Sequence, residues 1–156
     1  MLNGFISYAH ADMRAFEQIR RGLITEGRAL GIEFWTDKHL HTGMAWDQKI
    51  GDAIASAEVF VAVVSYESLY SQYIWEHELP AMKARSASTG ALILPLIVNR
   101  CSWDYHFGGL HVAPLEDGRV QPILDWKPQR NGFAEACRQA GDAIRRYYNL
   151  PAAGSP

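Results

Sequence analysis

The chain has 156 residues, of which 48% are hydrophobic and 21% are charged, and its formal net charge is -2. This length and composition predict one globular domain with a single core. Phosphate binding needs a basic face, and the balanced charge disfavours nucleic acid as a direct partner. The first residues, MLNGFISYAH, lack the basic and apolar regions expected of a signal peptide, and no apolar run approaches membrane-spanning length. Since its two cysteines also fit no metal-ligand spacing, we expect a cytoplasmic domain.

Hydrophobic patterns predict strands that alternate with helices along the chain. The predicted elements are a strand over residues 3–9, a helix from Asp12 as its N-cap to Gly31, a strand over 32–36, a loop over 38–45, a helix over 47–57, a strand over 59–65, a helix over 71–84, a strand over 91–98, a fifth strand over 120–124 within an irregular segment, and a helix over 133–148. Residues 59–65 read VFVAVVS, a pattern typical of a central strand covered on both faces. Pro95 removes a backbone donor, which indicates an edge strand or a bulge.

This alternation predicts a flavodoxin-like, doubly wound α/β fold, a five-stranded parallel sheet of order 2-1-3-4-5 with helices on both faces. In such a sheet the ligand crevice opens beyond the carboxyl ends of strands one and three. The residues that follow these two strands are Ser7, Tyr8, Ala9, His10, Ser65 and Tyr66. We expect the domain to cover residues 1–149. Residues 150–156 read as a tail or as the start of a linker to a further domain.

Two carboxylates lie within one turn of the helix predicted after the third strand. Its sequence SQYIWEHELP contains Glu76 and Glu78, and residues two apart on a helix point in nearly opposite directions. Ile74 and Trp75 share the side of Glu78, so an inward Glu78 would be framed by apolar side chains, as functional carboxylates often are. The alternative is that both glutamates are solvated while Ile74 and Trp75 pack into the core.

Several segments, taken in order, resemble the successive boxes of a bacterial TIR (Toll/interleukin-1 receptor) domain. They are FISYAH, FWTD, a loop containing HTGMAW, VFVAVVSYESLYSQYIWEHEL, LILPLIVNRCSW, FGGLHVAP and RVQPILDW. In TIR enzymes a glutamate in the helix after the third strand is catalytic, and Glu78, followed by Leu79, matches it. Many members carry Trp four residues earlier, where this chain has Ile74 and places Trp75 one residue later. Glu76 therefore stays open as the alternative.

The resemblance also implies the rest of a nucleotide pocket. Residues 38–46 match the BB loop that covers the nucleotide, with Gly43 as its hinge. In that loop Trp46 either stacks on a flat ring or packs on the core. The other residues implied as substrate-binding are Ser7, Tyr8, Ala9, His10, Trp35, Asp37, Ser65, Ile74 and Trp75.

Other kinds of site are less consistent with the sequence. Asp37, His39 and His41 alternate like metal ligands but lack a fourth ligand, so we expect no metal. A receiver domain needs acidic residues where this chain has Ser7 and Ser65. A nucleoside deoxyribosyltransferase-like enzyme would lack the BB-loop segment and the Glu-Leu pair.

The expected function is therefore that of an NAD+ glycohydrolase acting in bacterial anti-phage defence, with cyclisation of the product left open. NAD+ is its substrate, and no cofactor is expected. The resemblance implies activation by self-association with other TIR domains, driven by a sensor domain or partner protein. The alternative is a non-catalytic adaptor that works through TIR–TIR contacts alone.

Overall fold

The computed structural model describes residues 1–35 and 48–151. The loop predicted over 38–45 and the end of the tail lie outside these residues. The elements are β1 (Leu2–Ser7), α1 (Met13–Leu30), β2 (Ile32–Trp35), α2 (Gln48–Ser56), β3 (Val59–Val64), α3 (Tyr66–Tyr70), α4 (Leu79–Thr89), β4 (Leu92–Ile97), α5 (Trp103–Phe107), β5 (Leu115–Glu116), β6 (Arg119–Val120) and α6 (Gln129–Tyr147). None of the helices in the described ranges is long and apolar enough to span a membrane.

Four parallel strands form the sheet, in the order β2-β1-β3-β4, and helices cover both of its faces. Successive side chains of a strand point to opposite faces, and all six residues of β3 are buried. Val59, Val61 and Val63 pack in a core with α1 and α6, whereas Phe60, Ala62 and Val64 pack with α2, α4 and α5. The doubly wound α/β fold is therefore confirmed, and β3 is one of its two central strands, together with β1.

Pro95 lies in β4, which is an edge strand of this sheet, as the sequence predicts. The Pro95 carbonyl accepts a hydrogen bond from the Ala113 N–H on the side away from β3, at 3.1 Å. Since the N and O atoms of one strand residue point the same way, the missing donor faces that side too. The ladder between β3 and β4 therefore loses no bond at Pro95.

The fifth parallel strand predicted over 120–124 is wrong. In the described chain, β4 makes a single bridge on its outer side, between Leu96 and Ala113, and the predicted segment adds only a hydrogen bond from the Leu124 N–H to the Val98 carbonyl just after β4, at 3.0 Å. Val120 ends β6, which pairs antiparallel with β5 around a turn at Asp117 and Gly118, both with positive φ. Pro122 cannot donate to a ladder, and a 3-10 turn over Ile123–Asp125 follows it. Ile123 is buried, so the apolar residues of this segment reflect packing against the core and not strand formation.

The helix predicted over 71–84 is present as a continuous helical segment over residues 72–89, but it contains a π turn that the sequence did not predict. The chain forms α3 directly after β3, then a π turn over Ile74–Glu78, and then α4. In the π turn the N–H of Leu79 donates to the carbonyl of Ile74, five residues earlier. Pro80 has no N–H for the carbonyl four residues before it and would clash with that carbonyl in a regular helix. A wider turn immediately before Pro80 relieves this conflict.

Two glycine substitutions in α6 test how closely this helix is held. A Cβ added at Gly132 would lie 2.4 Å from the backbone carbonyl oxygen of Ile123, whereas one at Gly141 would meet the flexible carboxylate end of Glu26 at 2.8 Å. Both changes gain similar helix propensity, so we expect Gly132→Ala to be less stable than Gly141→Ala by about 1–3 kcal/mol. Urea unfolding measures the difference, and equal stabilities would contradict this packing.

Candidate functional site

The crevice predicted by topology lies at the carboxyl ends of β1 and β3. These strands are neighbours, with Ser7 in register with Ala62. The helix that follows β1 packs on one face of the sheet, and α4, which follows β3, packs on the other. The two connections diverge at this point, which is the position where open α/β sheets bind ligands.

Every buried polar or charged side chain in the described ranges follows one of these two strands or ends it. They are Ser7, Asp12, Ser65, Ser68 and Glu78. Burying a polar group costs free energy unless hydrogen bonds or charges compensate it, so such groups are normally spread thinly through a core. Their concentration at one edge marks this edge as the candidate site.

A small cavity opens between the end of β3 and the helical segment that follows it. Its volume is about 20 Å3, which is room for about one water molecule. The lining residues are Ser7, Ala62, Val63, Val64, Ser68, Leu69, Ile74, Trp75, Leu79, Met82 and Phe107. The structure therefore brings together three residues predicted for the site, namely Ser7, Ile74 and Trp75. Phe107, on α5, was missed because its neighbours in sequence give no signal for it.

The two candidate carboxylates differ sharply in exposure. Glu78, the last residue of the π turn, is 2% exposed. Glu76 is exposed and accepts a hydrogen bond from the Gln72 side chain at 2.7 Å. Glu78 is therefore buried next to the cavity-lining residue Leu79 in sequence but is not itself among the residues that line the cavity, and Glu76 faces solvent. The alternative in which both glutamates are solvated is wrong.

Trp75 connects the π turn to two other elements of the site. Its indole N–H donates to the carbonyl of Leu69 in α3 at 2.6 Å. Its ring meets His106 of α5 edge-on, with ring centroids 4.6 Å apart. Trp75 is half-buried, so it both fills the core and forms part of the cavity wall.

Asp12 and Ser65 join the two sides of the crevice. The Ser65 hydroxyl, fully buried, donates a short hydrogen bond to the Asp12 carboxylate, and its oxygen accepts the Ser68 N–H at 2.9 Å. Sequence reasoning gave Asp12 a capping role, but its side chain makes no cap hydrogen bond to α1. Its partner is 53 residues away, so no local pattern reveals the contact. The predicted substrate contact of Ser65 stays a prediction, and its hydroxyl serves this network.

The environment of Asp12 shifts its titration. Burial raises the pKa of the Asp12 carboxyl above its usual value, the Ser65 hydrogen bond lowers it, and the negative charge of Glu67 raises it. Burial dominates, so the ionised form is disfavoured relative to water.

The other predicted residues that the structure describes are not among those that line the cavity. Tyr8 stacks on Phe16 with ring centroids 3.8 Å apart, and Trp35 stacks on Phe5 at 5.5 Å. The remaining two residues after β1 are Ala9, which is buried, and His10, which is exposed. Asp37, Gly43 and Trp46 lie outside the described residues, as do His39 and His41. In the ranges that the structure describes, no group of His, Cys, Asp and Glu could hold a metal ion.

Two substitutions should move the pKa of Asp12 in opposite directions. Ser65→Ala removes the hydrogen bond that favours the ionised carboxylate, so we expect the pKa of Asp12 to rise. Glu67→Gln removes a nearby negative charge, so the pKa should fall. NMR titration of the Asp12 carboxyl carbon measures both shifts. Shifts in the same direction would show that the assigned contacts are wrong.

The same group should make stability depend on pH. Because folding raises the pKa of Asp12 above 3.8, its protonated form favours the native state. That stabilisation is complete below the unfolded pKa and is lost as pH rises through the folded pKa. Asp12→Asn keeps an acceptor for Ser65 without a titrating charge, so the variant should gain stability relative to wild type as pH rises from 3.8. Urea unfolding of both proteins across this pH range measures the effect. If the difference between their free energies of unfolding does not change with pH, the raised pKa of Asp12 is wrong.

Comparison with known proteins identifies the family. The family model described as "TIR domain" matches residues 5–132. An uncharacterized protein of Sinorhizobium fredii, y4lF, is 30% identical over 153 residues, which are 96% of this chain and 46% of that protein. The chain thus spans less than half the length of this relative. A solved structure named flavone reductase aligns with 97% of this chain and 65% of its own, at 15% identity and a TM-score of 0.47, too distant to bear on function. The family match covers most of the chain, which therefore belongs to the TIR domain family.

Proposed function

We propose that this TIR domain cleaves NAD+ at the nicotinamide–ribose bond, with Glu78 as its catalytic carboxylate. The observation that carries the proposal is the burial of Glu78, 2% exposed, on the π turn whose residues Ile74 and Trp75 line the cavity at the carboxyl edge of the sheet. Placing a carboxylate there costs free energy that a solvated glutamate avoids. A protein that acts only as a scaffold gains nothing from a buried carboxylate, whereas an enzyme that must stabilise positive charge needs one.

The chemistry needs only one carboxylate. A sugar bond to an alkoxide requires a general acid because an alkoxide leaves badly. Nicotinamide in NAD+ is already cationic and leaves as a neutral molecule, so positive charge then develops at the anomeric carbon of the ribose. A fixed carboxylate near that carbon stabilises the charge more in the transition state than in the ground state, which is the requirement for catalysis. Hydrolysis and cyclisation share this step and differ in the group that attacks afterwards.

The residues around Glu78 suggest how the substrate would be held. Ser7, Ile74 and Trp75 line the cavity and would contact the nicotinamide ribose. In this proposal the segment from Tyr8 to His10, together with Ser65 and Trp35, supports the rim. Asp37, Gly43 and Trp46 belong to the segment that would cover the nucleotide.

The size of the cavity supports activation by assembly. This cavity has room for about one water molecule and not for a nicotinamide ring, so in this proposal the residues around it rearrange before substrate binds. We propose that contact with another TIR domain opens and completes the site, and that a sensor domain or partner brings the copies together. The setting would be the bacterial cytoplasm, where NAD+ is available and where its depletion would serve anti-phage defence.

Glu78→Gln and Glu76→Gln form a matched pair two residues apart. In clustered protein we expect Glu78→Gln to lower kcat for nicotinamide release by about 1000-fold or more, because the charge that faces the anomeric carbon is lost. Glu76→Gln should stay within about twofold of wild type, since Glu76 is exposed. Chromatography of released nicotinamide measures both. Equal losses in the two variants, or a loss in Glu76→Gln alone, would remove Glu78 from the mechanism.

Activation by assembly predicts that specific activity rises with protein concentration. Diluted protein should release nicotinamide slowly per molecule, and fusion to an inducible oligomer should raise the rate at the same total concentration. A monomeric fusion partner of similar size is the control. Constant specific activity down to high dilution would show that each copy has a complete site.

Three exposed tyrosines favour a second candidate, a non-catalytic adaptor. Tyr66 and Tyr70 of α3 are 69% and 86% exposed, and Tyr105 of α5 is 85% exposed. Aromatic side chains are enriched at protein interfaces, and these three follow β3 and β4 on the crevice side of the sheet. Self-association by clustered wild type with no release of nicotinamide would favour this function.

A further inference from the structure

Asp12 is the buried carboxyl group to which the proposed reaction gives no role. In the described ranges the buried acidic residues are Asp12, 8% exposed, and Glu78. Burial of an aspartate at the start of a helix is unnecessary for capping, which an exposed aspartate performs equally well. A series of hydrogen bonds begins at the Asp12 carboxylate and connects it to the segment that carries Glu78.

The first bonds join the two strand ends. The Asp12 N–H donates to the carbonyl of Ala9 at 2.9 Å, which fixes the segment after β1. The Asp12 carboxylate accepts the Ser65 hydroxyl, and Ser65 in turn caps α3 by accepting the Ser68 N–H. An acceptor oxygen at this position orients and polarises the hydroxyl and so strengthens the bond that the hydroxyl oxygen accepts, the more so away from water. The start of α3 therefore depends on Asp12.

The next bonds join α3 to the helix that carries Glu78. The carbonyl of Leu69 in α3 accepts the Trp75 indole N–H at 2.6 Å. Trp75 lies within the π turn, whose closing bond runs from the Leu79 N–H to the Ile74 carbonyl. Glu78 is the last residue of that turn. A shift of α3 would thus move the Trp75 anchor and change the direction of the Glu78 carboxylate.

We propose that Asp12 is a positioning residue for Glu78, acting through Ser65, α3 and Trp75. This inference rests on the proposed function in naming Glu78 as the group that is positioned. Misplacement of a reacting group by about 1 Å can cost roughly 100-fold in rate, so a series of short bonds that fixes one carboxylate has a large effect on catalysis.

A double-mutant cycle on kcat tests the coupling. Asp12→Ala and Ser65→Ala should each lower kcat for nicotinamide release by about 10- to 100-fold with a small change in KM, and the double variant should be no worse than the more impaired single variant. Asp12→Asn keeps an acceptor for Ser65 and should recover most of the rate. Asp104→Ala, at an exposed aspartate of α5, is the control and should leave kcat unchanged. If the fold-losses in kcat of the two single variants multiply in the double variant, the proposal is overturned. It is also overturned if Asp12→Asn is as impaired as Asp12→Ala.

A second measurement is independent of catalysis. Hydrogen exchange of the Trp75 indole N–H, followed by NMR, should be faster in Asp12→Ala and in Ser65→Ala than in wild type, and unchanged in Asp12→Asn and Asp104→Ala. Unchanged exchange in Asp12→Ala would overturn the proposal even if kcat falls. If clustered wild type releases no nicotinamide, the proposed function fails, and the Trp75 signal alone decides whether Asp12 positions this helix.

Discussion

The position of every other element depends on the complete burial of β3. Six consecutive apolar residues alternate between two cores, and each buried aliphatic or aromatic side chain contributes about 1.5–3 kcal/mol. A strand with no polar face needs helices above and below it, and β3 also has a neighbouring strand on each side. Ser65 follows as the first polar residue, at the point where the chain leaves the core. The crevice therefore lies where the apolar run ends.

The carboxyl ends of β1 and β3 are unusually rich in buried polar groups. A buried charge without compensation costs several kcal/mol, which is a large part of the roughly 5–15 kcal/mol that stabilises a typical domain. Asp12 offsets part of this cost by accepting the Ser65 hydroxyl, and Ser65 and Ser68 satisfy one another through backbone and side-chain bonds. The network thus lets two strand connections meet without leaving their polar groups unmatched.

Sequence alone predicted the features that local chemistry controls. The continuous apolar run of β3, the end of α1 at Gly31 with its φ of 74°, and the edge position of Pro95 all follow from one residue or one short pattern. The predictions failed where contacts between residues distant in sequence determine the local structure. Apolar residues near 120–124 pack on the core from a hairpin and a 3-10 turn, which the same pattern cannot separate from a strand. The spacing of Glu76 and Glu78 indicated that at most one of them could face the crevice, and only the packing of the helix shows that Glu78 is the buried one.

The π turn shows why the choice between the glutamates needed a structure. In a regular helix the one-residue offset of Trp75 from the family pattern leaves two possible alignments. Pro80 disfavours the regular turn, and the wider turn places Ile74 and Trp75 against the cavity while Glu78 stays buried and Glu76 exposed. A proline two residues after the proposed catalytic carboxylate therefore affects the site through backbone geometry, without contact with substrate. Asp12, in its proposed positioning role, likewise acts on Glu78 through Ser65, α3 and Trp75 and not by direct contact. Residues that touch nothing reactive can thus determine where a reactive group points.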